Sequence, residues 1–470
     1  MSPAKLRSLH EAAFSRFTHC VLRLLLLLTI GFCGFCEAYA ANVDRPRVLL
    51  FMVDGLRWDY LSETHLPGFE ELIDAGVKAE YVVPVMPANS YPNWYSIVTG
   101  LYPERHGFVQ NFMYDEKYDD YFLMAPHPNA SRPHWWNHAE PVWVTAEKNG
   151  LRTGMYYWDG CQVEIRGMKP TICFPYRNFD KWLTAERDTK AALSDALRKF
   201  KQNALDFALV YYEAVDAAGH QYGPDSMERR NALKSADYLM KHLLNEAKRQ
   251  NIRDQLSIIV VSDHGMTDIS LDKNELIDLE PHIDADDIHS MLDGGAFAMI
   301  RPHKGKIEKV YTKLKSLNIR GLNVFRKEEL PDWYHLKESY LTQPIVLTAD
   351  PGYLVMRPRL TESEKQMPKS NRTVGGGHGY DPMKLADMRA IFLASGPGLK
   401  QGFEIGPLSM VDHYNVICRQ LGIQPLQNSG NQESVRAVFV DGDTGSRLTA
   451  SLSLLLALNI LLAARICLCH

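Results

Sequence analysis

The stretch Val48-Leu-Leu-Phe-Met-Val-Asp-Gly55 decides the fold, because it is a short, uninterrupted apolar run that ends in a turn dipeptide. Strands that are buried on both faces of a parallel sheet have this pattern. Three further runs share it: Phe207–Tyr212, Ser257–Val261 and Ala390–Ala394. Helical patterns separate or follow these runs, at Thr184–Lys201, Met227–Arg249 and His413–Leu421. Strands that alternate with helices predict an α/β domain with a doubly wound, mostly parallel sheet flanked by helices.

One segment interrupts this alternation. Between about Asp268 and Gly375 the pattern is less regular, and Gly294–Ile300 and Gly352–Met356 are the predicted strands within it. We expect an inserted, irregular, β-containing elaboration of the same domain rather than a second independent one.

Both ends of the chain have the pattern of processing signals. Basic residues precede the apolar run Leu24–Phe35, and Ala38-Tyr-Ala40 follows it, which predicts a secretory signal peptide over residues 1–40. A membrane anchor is the alternative, but the run is short for a bilayer span. Small polar residues before Leu452–Ala464 predict a glycosylphosphatidylinositol (GPI) attachment signal over residues 441–470. The mature protein is then a single domain over residues 41–440, at the extracellular face of the plasma membrane or released from it.

Net charge and cysteine content indicate which partners and which redox compartment to expect. The net charge of −4 offers no basic surface, so no nucleic-acid partner is expected. Outside the two end segments, Cys161 and Cys173 are close in sequence and form the favoured disulfide of an oxidising compartment. Cys418 is predicted to be a buried free thiol, with a bridge in a homodimer as the alternative. Asn129 and Asn371 begin glycosylation sequons, which predicts exposed loops at both.

Side chains that bind metals follow the predicted strands. They are Asp54, Asp216, His220, Asp263 and His264, with His378 in a glycine-rich loop further on. The carboxyl ends of parallel strands meet at one edge of a sheet, where ligands bind, and Asp and His are ligands for zinc. We therefore expect two metal ions about 4 Å apart, a spacing suited to phosphoryl transfer. Unrelated turn residues are the alternative interpretation.

A candidate nucleophile lies in the stretch Met86–Gly100. This stretch is polar and turn-rich up to Asn93 and then becomes an apolar helical segment, so Ser90 falls near the start of a helix. Unpaired backbone N–H groups and the positive end of the helix dipole suit an attacking oxygen or a bound phosphate there. The alternative is that Ser90 only caps the helix.

The motifs around these residues resemble those of the ectonucleotide pyrophosphatase/phosphodiesterase family, within the alkaline phosphatase superfamily. The matching pieces span almost the whole predicted domain, from Asp54 to Cys418. They are Asp54-Gly, the Ser90 loop through Thr99-Gly100, Leu101–Gly107 with Asn111, Asp216-x-x-x-His220-x-Tyr-Gly-Pro224, Ser262-Asp-His-Gly-Met266 and His378-Gly. This resemblance implies an alkaline-phosphatase-like fold and a zinc-dependent phosphoric diester hydrolase.

The resemblance also implies a role for each residue. Two Zn²⁺ ions are expected per chain, the first held by Asp216, His220 and His378. The second is expected to be held by Asp54, Ser90, Asp263 and His264. Ser90 would attack phosphorus and form a covalent intermediate, while Asn111 would donate to a phosphate oxygen. Asp216 and His378 are expected to contact the substrate as well.

Within the family, the resemblance is strongest to the choline-specific glycerophosphodiester phosphodiesterases. Its motifs include Ser90-Tyr91-Pro-Asn93, Trp135-Trp136-Asn137, Met155–Trp158 and Cys161–Ile165. The implied reaction releases phosphocholine from glycerophosphocholine and from choline lysophospholipids. Aromatic faces with a nearby carboxylate hold a quaternary ammonium group. The candidates for such a pocket are Tyr91, Tyr157, Tyr211 and Glu164, although aromatic residues at this density are also typical of a core.

Other functions stay open at this point. The first alternatives are a phospholipase C that acts on sphingomyelin or lysophospholipids, and a nucleotide phosphodiesterase of the same family. A non-catalytic surface protein is a third, and the complete set of ligand-type residues argues against it.

Overall fold

An eight-stranded mixed sheet forms the centre of the molecule. The computed structural model describes residues 46–178, 182–270, 272–357 and 375–440. The strands in chain order are β1 Arg47–Val53, β2 Val77–Ala79, β3 Val82–Val83, β4 Met113–Asp115, β5 Asp120–Phe122, β6 Thr153–Tyr156, β7 Ile172–Phe174, β8 Phe207–Tyr212, β9 Leu256–Val261, β10 Thr267–Asp268, β11 Glu275–Asp278, β12 Ile288–Leu292, β13 Phe297–Pro302, β14 Leu322–Arg326, β15 Ile345–Ala349, β16 Tyr353–Met356, β17 Gly376–Gly377, β18 Phe392–Ser395, β19 Phe403–Ile405 and β20 Leu408–Ser409.

Helices cover both faces of this sheet. In chain order they are α1 Pro67–Asp74, α2 Ser90–Thr99, α3 Pro103–His106, α4 Pro133–Trp136, α5 Val142–Lys148, α6 Trp182–Lys201, α7 Ala214–Tyr222, α8 Met227–Arg249, α9 Ile307–Ser316, α10 His413–Leu421 and α11 Gln432–Arg436. Among the described residues, no helix has both the length and the apolar character that a membrane span requires.

The central sheet has the strand order β19-β2-β18-β9-β1-β8-β6-β7. Strands β9, β1, β8, β6 and β7 are all parallel to one another. The prediction of a doubly wound, mostly parallel sheet is confirmed, with one correction. The run at Ala390–Ala394 was expected to be a parallel strand, but β18 starts at Phe392 and runs antiparallel to both β9 and β2.

Strand β1 explains why the sheet is buried on both sides. Its side chains alternate between two faces, and every residue from Val48 to Val53 is fully buried. Val48, Leu50 and Met52 pack into the core that contains α2, α5 and α10. Leu49, Phe51 and Val53, on the opposite face of the strand, pack into the core formed with α1, α6 and α8. This double burial is the reason that the strand is apolar throughout rather than alternating.

The inserted segment is more regular than predicted. Strands β12, β13, β15 and β14 form a four-stranded antiparallel sheet in that order, and α9 follows β13. The second predicted strand, at Gly352–Met356, corresponds to β16, which pairs in parallel with β11. The segment forms one compact unit with the central sheet. The predicted signal peptide and GPI signal lie outside the described residues.

Candidate active site

Parallel register brings the ends of three central strands to one edge of the sheet. Val53 of β1 pairs with Tyr212 of β8, and Met52 pairs with Val261 of β9. The residues that follow these strands are therefore neighbours, and they include Asp54 and Asp263. Both carboxylates are buried, at 1% and 0% exposed. The edge of the sheet thus concentrates negative charge away from water.

Helix α7 and a short strand pair complete the cluster. Asp216 and His220 lie one turn apart on α7, so they share a face of that helix. Strand β17 pairs with β10, which follows the β9 loop, and this pairing carries His378 to the same edge. The stacked rings of His264 and His378 have centroids 3.6 Å apart. Residues from four distant parts of the sequence therefore meet at one place.

Hydrogen bonds fix the orientation of the three histidines. Nδ1 of His220 lies 2.9 Å from the carbonyl oxygen of Gly376, and Nδ1 of His264 lies 2.9 Å from that of Gly265. Nδ1 of His378 lies 3.0 Å from the carbonyl oxygen of Ala88. A carbonyl oxygen only accepts, so each Nδ1 donates and each neutral ring directs an Nε2 lone pair into the cluster. Metal-binding histidines are oriented in this way.

The carboxylates are also held, but two of their oxygens accept no hydrogen bond from any residue that the structure describes. The Tyr211 hydroxyl donates to Oδ2 of Asp54 at 2.7 Å. The two oxygens without such a bond are Oδ1 of Asp54 and Oδ1 of Asp216, and both are buried. Burial, together with the charges of Asp263 and Asp216, raises the pKa of Asp54 well above its ordinary value. Burial raises the pKa of Asp263 as well. Carboxylates buried this close together are stabilised in their charged form by a positive charge placed between them.

These features fit divalent metal ions. Unpartnered carboxylate oxygens and converging Nε2 lone pairs are the donors that zinc prefers. Two groups of three residues have ligand atoms within 4.8 Å of one another: Asp216, His220 and His378; and Asp54, Asp216 and His264. The first group has the same members as the first predicted set.

The second group shares Asp54 and His264 with the second predicted set, contains Asp216 in addition, and does not contain Asp263. Asp216 lies close enough to belong to both groups. Asp263 was expected as a ligand, and its Oδ2 lies 3.3 Å from Nε2 of His264. Three N–H groups also donate to its two oxygens, from the backbone of Gly55 and His264 and from the indole of Trp94.

Ser90 lies beside this cluster as the first residue of α2. Its Oγ is 3.3 Å from Nε2 of His264, and the residue is only partly buried. Oδ1 of Asn111 accepts the backbone N–H of Tyr91, 2.9 Å away. The amide nitrogen of Asn111 makes no hydrogen bond to any residue that the structure describes, so its two N–H donors are available beside Ser90. Ser90, the nucleophile predicted from the sequence, therefore has the amide N–H donors of Asn111 next to it.

Tyr176, Tyr211 and Glu213 form an aromatic and acidic wall beside the cluster. Tyr176 and Glu213 were not identified as site residues from the sequence. The Tyr176 hydroxyl donates to Oε2 of Glu213 at 2.8 Å, and the Tyr176 ring contacts that of Tyr211. Burial and the charges of Glu213, Asp54 and Asp216 raise the pKa of Tyr176. Glu213 directly follows β8, which is the same signal that identified Asp54 after β1. Tyr176 lies in a loop that carries no such signal.

The structure places three predicted choline-pocket residues differently. Tyr91 is 3% exposed and packs against Trp94, Phe108, Phe122 and Trp136, so its ring belongs to the core. The reason is that a residue next to the nucleophile in a helix points about 100° away from it. Glu164 lines an open surface cavity whose lining includes none of the cluster residues. The guanidinium carbon of Arg177 lies over the Tyr157 ring, 5.3 Å from the ring centroid.

The remaining predicted residues are the cysteines and the asparagines of the two glycosylation sequons. Cys161 and Cys173 form a disulfide with Cα atoms 5.4 Å apart. Cys418 is a buried free cysteine, and burial raises the pKa of its thiol to about 12. Asn129 is only partly exposed, because its amide donates to the carbonyl oxygen of Tyr121 at 3.2 Å. Asn371 lies outside the described residues.

Comparison with known proteins gives matches over most of the chain. The profile of the family described as type I phosphodiesterase / nucleotide pyrophosphatase matches residues 48–381. Bis(5'-adenosyl)-triphosphatase enpp4 of Mus musculus is 34% identical, over 90% of this chain and 88% of that protein. Ectonucleotide pyrophosphatase/phosphodiesterase family member 7 of Mus musculus is 29% identical, over 89% and 93%.

Solved structures are also similar to this chain over most of its length. Murine ectonucleotide pyrophosphatase / phosphodiesterase 5 superposes with a TM-score of 0.75 at 31% identity, covering 84% of this chain and all of that structure. An inactive variant of the same murine protein, in complex with AMP, gives a TM-score of 0.74 at 30% identity, with the same coverage.

Proposed function

This chain belongs to the type I phosphodiesterase / nucleotide pyrophosphatase family, and on that premise we propose that it is a zinc-dependent phosphodiesterase of choline phosphodiesters such as glycerophosphocholine. The resemblance seen in the sequence is confirmed at the level of the family, which makes the chain a phosphoric diester hydrolase. The choline preference, the identity and number of the metal ions and the covalent step are the proposal.

Each of the two zinc ions would be held by its own set of side chains in the cluster. Asp216, His220 and His378 would hold one, and Asp54, Asp263 and His264, with Ser90, the other. When bound, the ions supply positive charge that lowers the pKa of a hydroxyl and stabilises the oxygens of a reacting phosphate. The two unpartnered oxygens, on Asp54 and Asp216, support this assignment because each lacks a partner that an ion would provide.

Ser90 supplies the nucleophile in the proposed reaction. A bond forms between Oγ of Ser90 and phosphorus, and the bond from phosphorus to the glycerol oxygen breaks. The hydroxyl proton leaves Ser90, and the glycerol oxygen is released as a hydroxyl. Water then cleaves the bond between Oγ and phosphorus, which yields phosphocholine and restores the hydroxyl. The amide N–H groups of Asn111, beside Ser90, would donate to a phosphate oxygen throughout.

The observation that carries the choline preference is the wall of Tyr176, Tyr211 and Glu213. Tyr176 and Glu213 are only partly buried, and they lie next to the carboxylates of the cluster, where a quaternary ammonium group would be attracted by the Tyr176 ring face and by charge. Tyr211 is 5% exposed and supports the Tyr176 ring from behind. A nucleobase is uncharged and gains nothing from this negative field. Lysophosphatidylcholine presents the same headgroup and is a further candidate substrate.

A nucleotide phosphodiesterase is the second candidate function. The observation that favours it is the set of similar proteins, since one is named as a bis(5'-adenosyl)-triphosphatase and one structure holds AMP. Aromatic rings such as those of Tyr176 and Tyr211 also stack on bases, so the two candidates differ in the part played by Glu213.

We also propose that the enzyme acts outside the cell. The signal peptide and GPI signal expected in the sequence would export it and attach it to the outer leaflet, and the disulfide between Cys161 and Cys173 is of the kind that such a compartment maintains.

Two chromogenic esters test the proposal. Purified, zinc-loaded protein would be assayed with p-nitrophenylphosphocholine and with the p-nitrophenyl ester of thymidine 5′-monophosphate. We expect kcat/KM to be at least about tenfold higher for the choline ester, a difference of about 1.4 kcal/mol in transition-state binding. A preference for the nucleotide ester would overturn the choline assignment. Inactivity on both esters would favour a non-catalytic surface protein.

A further inference from the structure

Two aromatic side chains hold the two buried carboxylates of the cluster. The indole Nε1 of Trp94 donates to Oδ2 of Asp263 at 2.7 Å. The Tyr211 hydroxyl donates to Oδ2 of Asp54, also at 2.7 Å. The two rings touch each other edge to face, with centroids 5.0 Å apart. A single aromatic pair thus fixes one oxygen of each carboxylate.

Trp94 also links Asp263 to the nucleophile. It lies four residues after Ser90 on α2, so the two side chains project from the same side of the helix. Trp94 is 7% exposed and packs against Tyr91, which is itself in the core. Any shift of Asp263 relative to the start of α2 is therefore resisted by a buried, rigid ring.

The indole bond is the only one of the three donors to Asp263 that comes from a side chain. The backbone N–H groups of Gly55 and His264 both donate to Oδ1. Without the indole, Oδ2 would lose its only hydrogen bond from a described residue and the carboxyl group would be free to rotate. The lone pair that this oxygen directs toward the cluster would then lose its fixed direction.

We propose that Trp94 is a positioning residue for the metal site, which acts by fixing the carboxylate of Asp263. The inference depends on the proposed metal dependence and is independent of the choline preference. Removing a partner that orients a ligand typically weakens metal binding by about 10- to 100-fold. We therefore expect loss of the indole N–H to raise the zinc dissociation constant by about tenfold or more.

The test is zinc affinity, measured by competition with a chromophoric chelator on metal-free protein. Trp94→Phe removes the N–H donor. Trp143→Phe is the matched control, because Trp143 is also fully buried but its Nε1 donates to nothing in the described structure. We expect the dissociation constant of the first variant to rise about tenfold and that of the control to stay within about twofold.

Three outcomes separate the possibilities. Equal zinc affinity in the two variants would overturn the role of Trp94. Failure of the wild-type protein to bind zinc would overturn the proposed metal dependence itself. If Trp94→Phe does not fold, the site-specific replacement of Trp94 by β-(3-benzothienyl)alanine decides, since sulfur replaces the N–H within the same two fused rings. Unchanged zinc affinity in that variant would likewise overturn the inference.

A zinc-induced change in the near-ultraviolet spectrum gives a second measurement. An indole that donates to a metal-binding carboxylate should change its absorption when zinc binds, and this signal should be lost in Trp94→Phe and kept in Trp143→Phe. If the zinc-induced change persisted in Trp94→Phe, it would come from another chromophore, and the coupling of the Trp94 indole to the metal site would be contradicted.

Discussion

Nε2 of His220 lies 3.0 Å from Nε2 of His378. The Nδ1 atoms of both rings donate to carbonyl oxygens, so in the neutral form of each ring Nε2 carries a lone pair, and two lone pairs at this distance repel each other. Burial and the neighbouring His264 and His220 rings hold the pKa of His378 well below its ordinary value, so a proton does not relieve the repulsion there. A shared cation would turn this contact into an attractive one.

Metal removal is therefore expected to reduce both activity and stability. Chelation should abolish hydrolysis of the choline ester and lower the unfolding temperature. Zinc at about a thousand times its dissociation constant should stabilise the native state by about 4 kcal/mol. Differential scanning calorimetry with and without zinc measures this. Magnesium should not replace zinc, because it prefers oxygen ligands to imidazole. An unfolding temperature that does not respond to zinc would contradict the expectation.

Ser90→Ala is expected to remove catalysis and leave the fold intact. Ser90 is only partly buried, and among the described residues its hydroxyl has a hydrogen-bond contact only to Nε2 of His264, so little stability depends on it. We expect kcat to fall at least about a thousandfold, which corresponds to about 4 kcal/mol. Ser62→Ala is the control, since Ser62 is exposed and its hydroxyl donates to Asp59.

Mass spectrometry of quenched reactions supplies the direct evidence for the covalent step. A phosphocholine adduct should be found on the peptide that contains Ser90 and on no peptide of the Ser90→Ala variant. Near wild-type turnover in that variant would show that another group attacks phosphorus.

The register of the central sheet explains which site residues the sequence could predict. Asp54 and Asp263 each follow a run whose burial was evident from its composition, and parallel strands must end at the same edge. His378 is different, because the β10–β17 pair that brings it to the site has only two residue pairs. No periodicity reveals so short a ladder. The sequence therefore indicated this histidine only as a ligand-type residue in a glycine-rich loop, and the resemblance to a family assigned it to a metal.

The aromatic residues were harder to assign, because sequence proximity does not determine the direction of a side chain. Tyr91 adjoins Ser90 in sequence, yet the helical turn sends it into the core. Tyr211 lies on β8 and faces the cluster, since its hydroxyl reaches Asp54. Tyr176 lies in a loop whose path depends on tertiary contacts, so its place beside Glu213 could not be read from the sequence.

Tyr176 is expected to select for a cationic headgroup. Tyr176→Leu removes the ring and should lower kcat/KM for the choline ester about tenfold, in line with a cation–π contribution of about 1–2 kcal/mol. Tyr176→Phe keeps the ring and loses only the hydrogen bonds of the hydroxyl to Glu213 and Asn178, so its effect should be smaller.

The uncharged 3,3-dimethylbutyl analogue of the choline ester is the control substrate for this prediction. It has the shape of choline without the charge, so Tyr176→Leu should change its kcat/KM much less. An equal loss on both esters would mean that Tyr176 contributes packing alone.

Acid is expected to destabilise the protein through His106. This side chain is fully buried, and burial lowers its pKa to about 3. Its Nδ1 accepts the backbone N–H of Phe108, so the folded state has no room for a proton there. Because the unfolded chain binds that proton below about pH 6.5, stability is present above this pH and is lost as the pH falls toward about 3. The loss should be about 1.4 kcal/mol for each pH unit.

Urea unfolding at pH 7 and pH 5.5, in the presence of a chelator so that metal release adds nothing, measures this loss. His106→Gln should be less stable at pH 7 but should lose less between the two values. An identical slope in wild type and His106→Gln would contradict the role of His106.

A substitution at Gly55 tests how closely the chain beside Asp54 must approach Asp216. It has φ +65°, and a Cβ added there would lie 2.8 Å from the Cα of Asp216, closer than atoms of this kind approach. Gly150 also has positive φ, +76°, but a Cβ there meets no atom within 4 Å. Both Ala variants should therefore lose about 1 kcal/mol from backbone strain, and only Gly55→Ala should push Asp216 out of place. We expect Gly55→Ala to raise the zinc dissociation constant at least about tenfold and Gly150→Ala to leave it unchanged. Equal zinc affinity in the two variants would show that the contact between Gly55 and Asp216 does not control the metal site.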